Sequence, residues 1–155
     1  ADRIVLEITE HADVGDYALL ARALAPLRRR SIRVAVDDAG SGYSSLRHVL
    51  RLKPDVIKLD LEFIRDIDSD PARRALASAL AHFGHETGST IVAEGIETID
   101  ELETLKRLKL DCGQGYYLCR PTPLRQLTEW LSGRLLPGDQ IEAKTSEQST
   151  VRSAP

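Results

Sequence analysis

Ile32-Arg33-Val34-Ala35-Val36-Asp37-Asp38 is a short β-branched run that ends in two adjacent carboxylates. Three other runs end in the same way. Arg3-Ile4-Val5-Leu6-Glu7-Ile8-Thr9-Glu10 precedes it, and Val56-Ile57-Lys58-Leu59-Asp60 and Thr90-Ile91-Val92-Ala93-Glu94-Gly95-Ile96-Glu97 follow. Each apolar run reads as a buried strand. An acid at the end of one such strand is ordinary. The pattern on four successive strands is not, because desolvating carboxylates is costly unless they are paired or bind metal. If the strands lie parallel, their ends converge on one acidic pocket.

Helical spacing fills the intervals. Residues 18–30 carry Leu19, Leu20, Ala23, Leu24 and Leu27 on one face and end in an arginine triplet, which suits a helix C-terminus. After Gly40-Ser41-Gly42, residues 43–52 read as a short helix broken by Lys53-Pro54. Pro71 opens a long helix to about residue 86, with Ser69 or Asp70 as cap and Gly88 as its end. Thr98 or Asp100 caps another, to about residue 108, and Pro123 starts a last one, to about residue 133. The strands are expected over residues 3–8, 32–37, 55–60, 90–94 and, less apolar, 111–118. Residues 136–155 are polar and aperiodic and read as a disordered tail behind a domain of residues 1–135.

Strand and helix alternate, so the fold class is α/β with a parallel sheet covered on both faces. An open doubly wound sheet gathers ligands only at a switch point. A (β/α)8 TIM-like barrel delivers every strand end to one mouth. Acids on four consecutive strands favour the barrel, here a partial one of about five βα units.

Composition restricts the function. With 42% hydrophobic and 29% charged residues the chain is an ordinary globular one, and a net charge of −3 gives no bulk attraction to polymeric nucleic acid or anionic membranes. No apolar run is long enough for a membrane helix, and no signal peptide is visible, so a cytoplasmic location is expected, with membrane attachment possible only through segments outside this sequence. Cys112 and Cys119 fit neither a metal knuckle nor a disulfide framework and read as reduced thiols. The absence of methionine, even at position 1, suggests a chain excised from a longer one.

Glu7, Asp37, Asp38, Asp60, Glu94 and Glu97 all fall at or just beyond strand ends. Carboxylates gathered in one mouth repel each other, and hard divalent cations relieve that repulsion, which points to Mg²⁺ or Mn²⁺. Asp37 and Asp38 can share a site only where the strand ends and the chain turns, and such a pair can flank two metals. That arrangement serves phosphate-ester hydrolysis. Lys58 lies inside an apolar run, needs a partner, and is placed to orient an attacking water or neutralise a phosphate. Taken singly these residues have duller readings: a strand-end aspartate is more often a helix cap, and a lone buried lysine a structural ion pair. Gly40-Ser41-Gly42 lacks the P-loop lysine. His82 and His85 read as a surface helix face, and Tyr116-Tyr117 as barrel packing.

The motifs together resemble the EAL domain family, bacterial phosphodiesterases that linearise cyclic di-GMP. The matching stretches are Leu6-Glu7-Ile8-Thr9-Glu10, Asp37-Asp38-Ala39-Gly40-Ser41-Gly42-Tyr43-Ser44-Ser45-Leu46, Lys53-Pro54-Asp55-Val56-Ile57-Lys58-Leu59-Asp60, Ala93-Glu94-Gly95-Ile96-Glu97-Thr98, and Gly113-Gln114-Gly115-Tyr116-Tyr117 with Arg120-Pro121. The resemblance covers residues 3 to about 133 and implies the following roles. Glu7, Asp37, Asp38 and Glu94 look like ligands of two divalent cations. Lys58, Glu94 and Glu97 look like the catalytic group, with Lys58 holding the nucleophilic water. Asp60, Gln114 and Ser44 look like substrate-side residues, and Glu10 like the anchor of the loop after Asp38. Ala39 stands where the family usually has phenylalanine; losing the aromatic ring loosens the packing of that loop and bears on regulation more than on chemistry.

The resemblance further implies hydrolysis of cyclic di-GMP to linear pGpG, a homodimer formed through this domain, and upstream sensory or diguanylate cyclase-like domains. The Glu-Ala-Leu signature and the metal-binding asparagine that follows it are not in this chain; they belong to strands that would precede Ala1, about 100 residues of them. The chain alone is therefore expected to be inactive, with two exposed sheet edges. Two rival expectations remain: a degenerate domain that binds cyclic di-GMP or a protein without hydrolysis, and a half-barrel completed by another chain.

Overall fold

The computed structural model describes residues 3–9, 14–39 and 43–132. Glu10, the glycine loop 40–42, the side chain of Ser44 and the tail expected over residues 136–155 lie outside the described residues.

The strands are β1 (Val5–Ile8), β2 (Arg33–Ala39), β3 (Val56–Leu59), β4 (Thr90–Ala93) and β5 (Cys112–Gly113). The helices are α1 (Tyr17–Arg28), α2 (Tyr43–Leu52), α3 (Leu61–Ile64), α4 (Pro71–Thr87), α5 (Ile99–Arg107) and α6 (Leu124–Leu131). All strand pairs are parallel, and the spatial order β1-β2-β3-β4-β5 repeats the chain order. An open doubly wound sheet reverses its order at a switch point; this one never does, as in the wall of a (β/α)8 barrel. The partial barrel expected from the alternation is the architecture found.

Side-chain alternation separates two faces. Val36, Ile57, Leu59, Ile91 and Ala93 turn toward the helices and form one core with Val49, Ile64, Ile67 and Leu105. Ile8, Val34, Leu24 and Leu52 form a second core beneath α1 and α2. The residues of opposite parity, among them Glu7, Ala35, Asp37, Val56, Lys58 and Val92, share the other face.

Local chemistry sets the helix limits. Asp16 caps α1, accepting the Ala18 and Leu19 N–H groups at 2.8 and 3.1 Å. Asp70, not Ser69, caps α4, with Pro71 in its first turn, and Gly88 closes it at φ 72°, a left-handed cap that glycine adopts without strain. Thr98, not Asp100, caps α5 through a capping box with Glu101. Arg28, in the last turn of α1 as the arginine triplet led one to expect, also donates to the Leu52 and Lys53 carbonyls that finish α2. His82 and His85 are exposed on α4, as expected, and both cysteines are free.

Four expectations are corrected. The first run is not a buried strand: Ile4 and Leu6 are exposed and only Ile8 is buried, because β1 is a sheet edge among the described residues. The fifth strand stops at Gly113, since residues 115–118 fold into a turn that brings the Leu118 and Cys119 N–H groups to the Gly115 carbonyl. α3 was not anticipated; Asp60 caps it, its Oδ1 accepting the Glu62 N–H at 2.6 Å. Tyr116-Tyr117 do not pack as a pair: Tyr117 lies against the core, whereas Tyr116 is exposed.

Candidate metal and phosphodiester site

The inner face gathers its charges at the C-terminal ends of the strands. Lys58 Nζ lies 2.7 Å from Asp37 Oδ1, 2.9 Å from Glu94 Oε1 and 3.4 Å from Glu7 Oε2. One lysine on β3 thus joins acids from β1, from β2 and from the residue after β4. Only 14% of its side chain is exposed, against 47% for Glu7, so Asp37 and Glu94 are its sheltered partners and Glu7 the open one. Glu94 continues the ladder beyond β4, its N–H donating to the Leu59 carbonyl at 3.1 Å, which fixes its direction into the same mouth.

Asp37 and Asp38 reach this mouth together by a route the sequence did not show. The strand does not end at Asp37 but runs on to Ala39. Val36 pairs with Ile57 and Ala39 with Leu59, so β2 holds one residue more than β3 across that interval. Asp38 absorbs the surplus in a left-handed conformation, φ 52°. Aspartate tolerates that region better than most residues. The bulge returns Ala39 to the core and leaves both carboxylates at the mouth. Asp37, Asp38 and Glu94 each offer a carboxylate oxygen within 4.8 Å of the others, which suits a divalent cation.

The electrostatics follow from this crowding. Burial pulls the Lys58 ammonium toward a lower pKa, but its hydrogen bonds with Asp37 and Glu94 and their negative charges outweigh that and hold it above its ordinary value. Burial pushes the Glu94 carboxyl up; Lys58 opposes this, and the charges of Asp37 and Asp38 reinforce it. Glu94 therefore holds a proton more readily than an ordinary glutamate.

The other expected residues surround this group. Gln114 Nε2 donates to Glu94 Oε1, which orients that carboxylate from the β5 side. Asp60 lies at the end of β3 with Oδ1 engaged in capping α3. Glu97 is exposed and lies outside the cluster of Asp37, Asp38 and Glu94; its backbone N–H donates to Glu101 Oε2 at 2.8 Å. Sequence reasoning missed Glu101. It is buried, and its carboxylate accepts the Asp66, Glu97 and Thr98 N–H groups at 3.2, 2.8 and 3.0 Å. The Thr98-x-x-Glu101 capping box was the available signal.

The EAL domain family model matches residues 1–121. The probable cyclic di-GMP phosphodiesterase PdeD of Escherichia coli is 34% identical over 131 residues, 84% of this chain and 24% of its own length. The chain therefore spans about a quarter of that relative. The EAL domain of Mycobacterium smegmatis DcpA superposes with a TM-score of 0.77 at 32% identity, covering 86% of this chain and 60% of that one. Klebsiella pneumoniae BlrP1, solved with manganese and cyclic di-GMP, gives 0.71 at 33%, covering 77% and 31%. With its parallel βα wall, its acids at the strand ends and this extent of match, the chain belongs to the EAL domain family.

Proposed function

We propose that this chain supplies most of the metal site of a cyclic di-GMP phosphodiesterase, which in the intact protein hydrolyses its substrate to linear pGpG. The observation that carries this reading is Lys58 held between Asp37, Glu94 and Glu7, with Asp38 beside them. A purely structural lysine needs one carboxylate; this one is surrounded by more negative charge than it can neutralise. Such an excess fits a place for further cations.

Glu7, Asp37, Asp38 and Glu94 would hold two divalent cations, Mg²⁺ or Mn²⁺. When bound, the cations lower the pKa of a water and offset charge on the phosphoryl oxygens. Lys58 orients that water and lends positive charge to the phosphodiester. Glu94, held in position by Gln114, would complete the ligand set and assist removal of the proton from the water. Asp60 and Ser44 act on the substrate side, Glu97 supports the proton transfer, and Glu10 anchors the loop after Asp38. The intact protein works in the cytoplasm as a homodimer with further upstream domains.

The test is chromatography of cyclic di-GMP incubated with Mn²⁺ and the longer protein that carries this chain. Linear pGpG is expected, with none after EDTA and at least about a hundredfold less after Lys58→Ala. The 155-residue chain alone is expected to give none. Undiminished turnover by the Lys58→Ala protein would contradict the assignment.

A further inference from the structure

The acids lie at the C-terminal ends of the strands, and the opposite end of the sheet carries the reverse charge. The turns from α1 to β2 and from α2 to β3, over residues 28–33 and 51–55, hold Arg28, Arg29, Arg30, Arg33, Arg51 and Lys53 against one acid, Asp55. We propose that this face is a docking surface for an anionic membrane, with the acid mouth turned away from the lipid.

Contacts make the two turns one platform. Arg28 Nη2 donates to the Leu52 and Lys53 carbonyls at 2.9 and 2.8 Å. Asp55 Oδ2 accepts the Val34 N–H at 2.8 Å and lies 4.0 Å from Arg28 Nε, so the one acid is already engaged. Arg29, Arg30, Arg33, Arg51 and Lys53 are exposed, and none has an acidic partner among the described residues. One or two cations at a helix C-terminus complement its dipole. Arg30 lies beyond α1 and Arg33 opens β2, so the dipole does not account for them.

The backbone points the same way. Lys53 has φ 45°, a left-handed conformation that glycine adopts without strain and lysine does not. The corresponding turn after α4 uses Gly88, at φ 72°. Lys53 keeps a cation on this face despite the strain, which marks the charge as the useful property.

The surroundings select the partner. Neither turn has an aromatic side chain on which a nucleic-acid base could stack. Leu50, in the last turn of α2, is exposed, and with Lys53, Pro54 and Phe83 it lines a cavity of about 240 Å³. Cations around an exposed leucine and an apolar opening suit a layer of anionic head groups over acyl chains. That layer attracts cations only within about a Debye length, so the local excess decides, not the net charge of −3 of the whole chain. Strand direction sets the orientation. All five strands are parallel, so lipid at their N-terminal ends leaves Asp37, Asp38 and Glu94 facing water.

Co-sedimentation of the chain with vesicles of phosphatidylcholine alone, and of phosphatidylcholine mixed with phosphatidylserine, tests this. Attachment is expected to the phosphatidylserine vesicles only, and it should weaken as salt rises. Arg29→Gln with Arg30→Gln and Arg33→Gln should weaken it about a hundredfold, roughly fivefold for each lost cation, with an unchanged circular dichroism spectrum. Lys53→Gly should unfold at higher urea, because the left-handed strain is relieved, yet attach about fivefold more weakly. No attachment to the phosphatidylserine vesicles, equal attachment to the neutral ones, or undiminished attachment of the triple variant would overturn the proposal. Capture of the chain by duplex DNA in preference to the vesicles would give the surface to nucleic acid and overturn it as well.

Discussion

Lys58 is the residue on which the inner face depends. Its ammonium is the counter-charge for Asp37 and Glu94, both largely sheltered. Lys58→Met would leave those acids facing Asp38 with no cation among them. Breaking a fully buried pair costs several kcal/mol; with the partial exposure here, a loss of about 2 kcal/mol is expected in urea unfolding of the metal-free chain. Added Mn²⁺ should restore most of it, because a cation at the carboxylates replaces the missing charge. A Lys58→Met chain as stable as the unaltered one without metal would mean that the acids are solvated. Gly115 is a second sensitive point. A Cβ there would overlap the Ile96 backbone nitrogen and oxygen, atoms that cannot swing aside. Gly115→Ala should cost about 3 kcal/mol and displace the turn that carries Gln114 and Arg120. A crystal structure of the variant with that turn unmoved would count against this.

At the scale of elements, two carboxylates hold segments rather than ligands. Glu101 ties the residues after β4 to the turn between α3 and α4 through three backbone N–H groups. Glu101→Ala removes the acceptor of three part-buried hydrogen bonds and should cost about 2 kcal/mol; Glu101→Gln, which keeps one acceptor oxygen, should cost less. Equal losses in the two variants would show that the hydrogen bonds are not the cause. Asp70 controls the start of α4. Accepting the Ala72 and Arg73 N–H groups lowers its pKa, helped by its bond with the Arg73 side chain. A depressed carboxylate contributes stability that is present above its unfolded value of 3.8 and is lost as pH falls through the lower folded value. Acid titration of unfolding should therefore be shallower below about pH 4 for Asp70→Asn, which still caps but cannot titrate. An unchanged slope would assign that pH dependence to other acids.

Across the whole molecule, the alternation of apolar runs with helical spacing was enough to specify a parallel βα wall, because period and punctuation are local. The strand-end acids were legible for the same reason: parallel strands send every C-terminal residue to one side. What escaped the sequence depends on neighbours far along the chain. The bulge that admits both Asp37 and Asp38 exists only against the shorter interval of β3. The early end of β5 depends on Gly115 turning against Ile96, and α3 on an aspartate equally suited to a strand end.

The central claim is that the inner-face acids form a divalent-metal site, and electron paramagnetic resonance titration of the metal-free chain with Mn²⁺ tests it most directly. Saturable binding is expected, weakened at least about tenfold by Asp37→Asn with Asp38→Asn. Absence of saturable binding, or equal affinity in the doubly substituted chain, would contradict it.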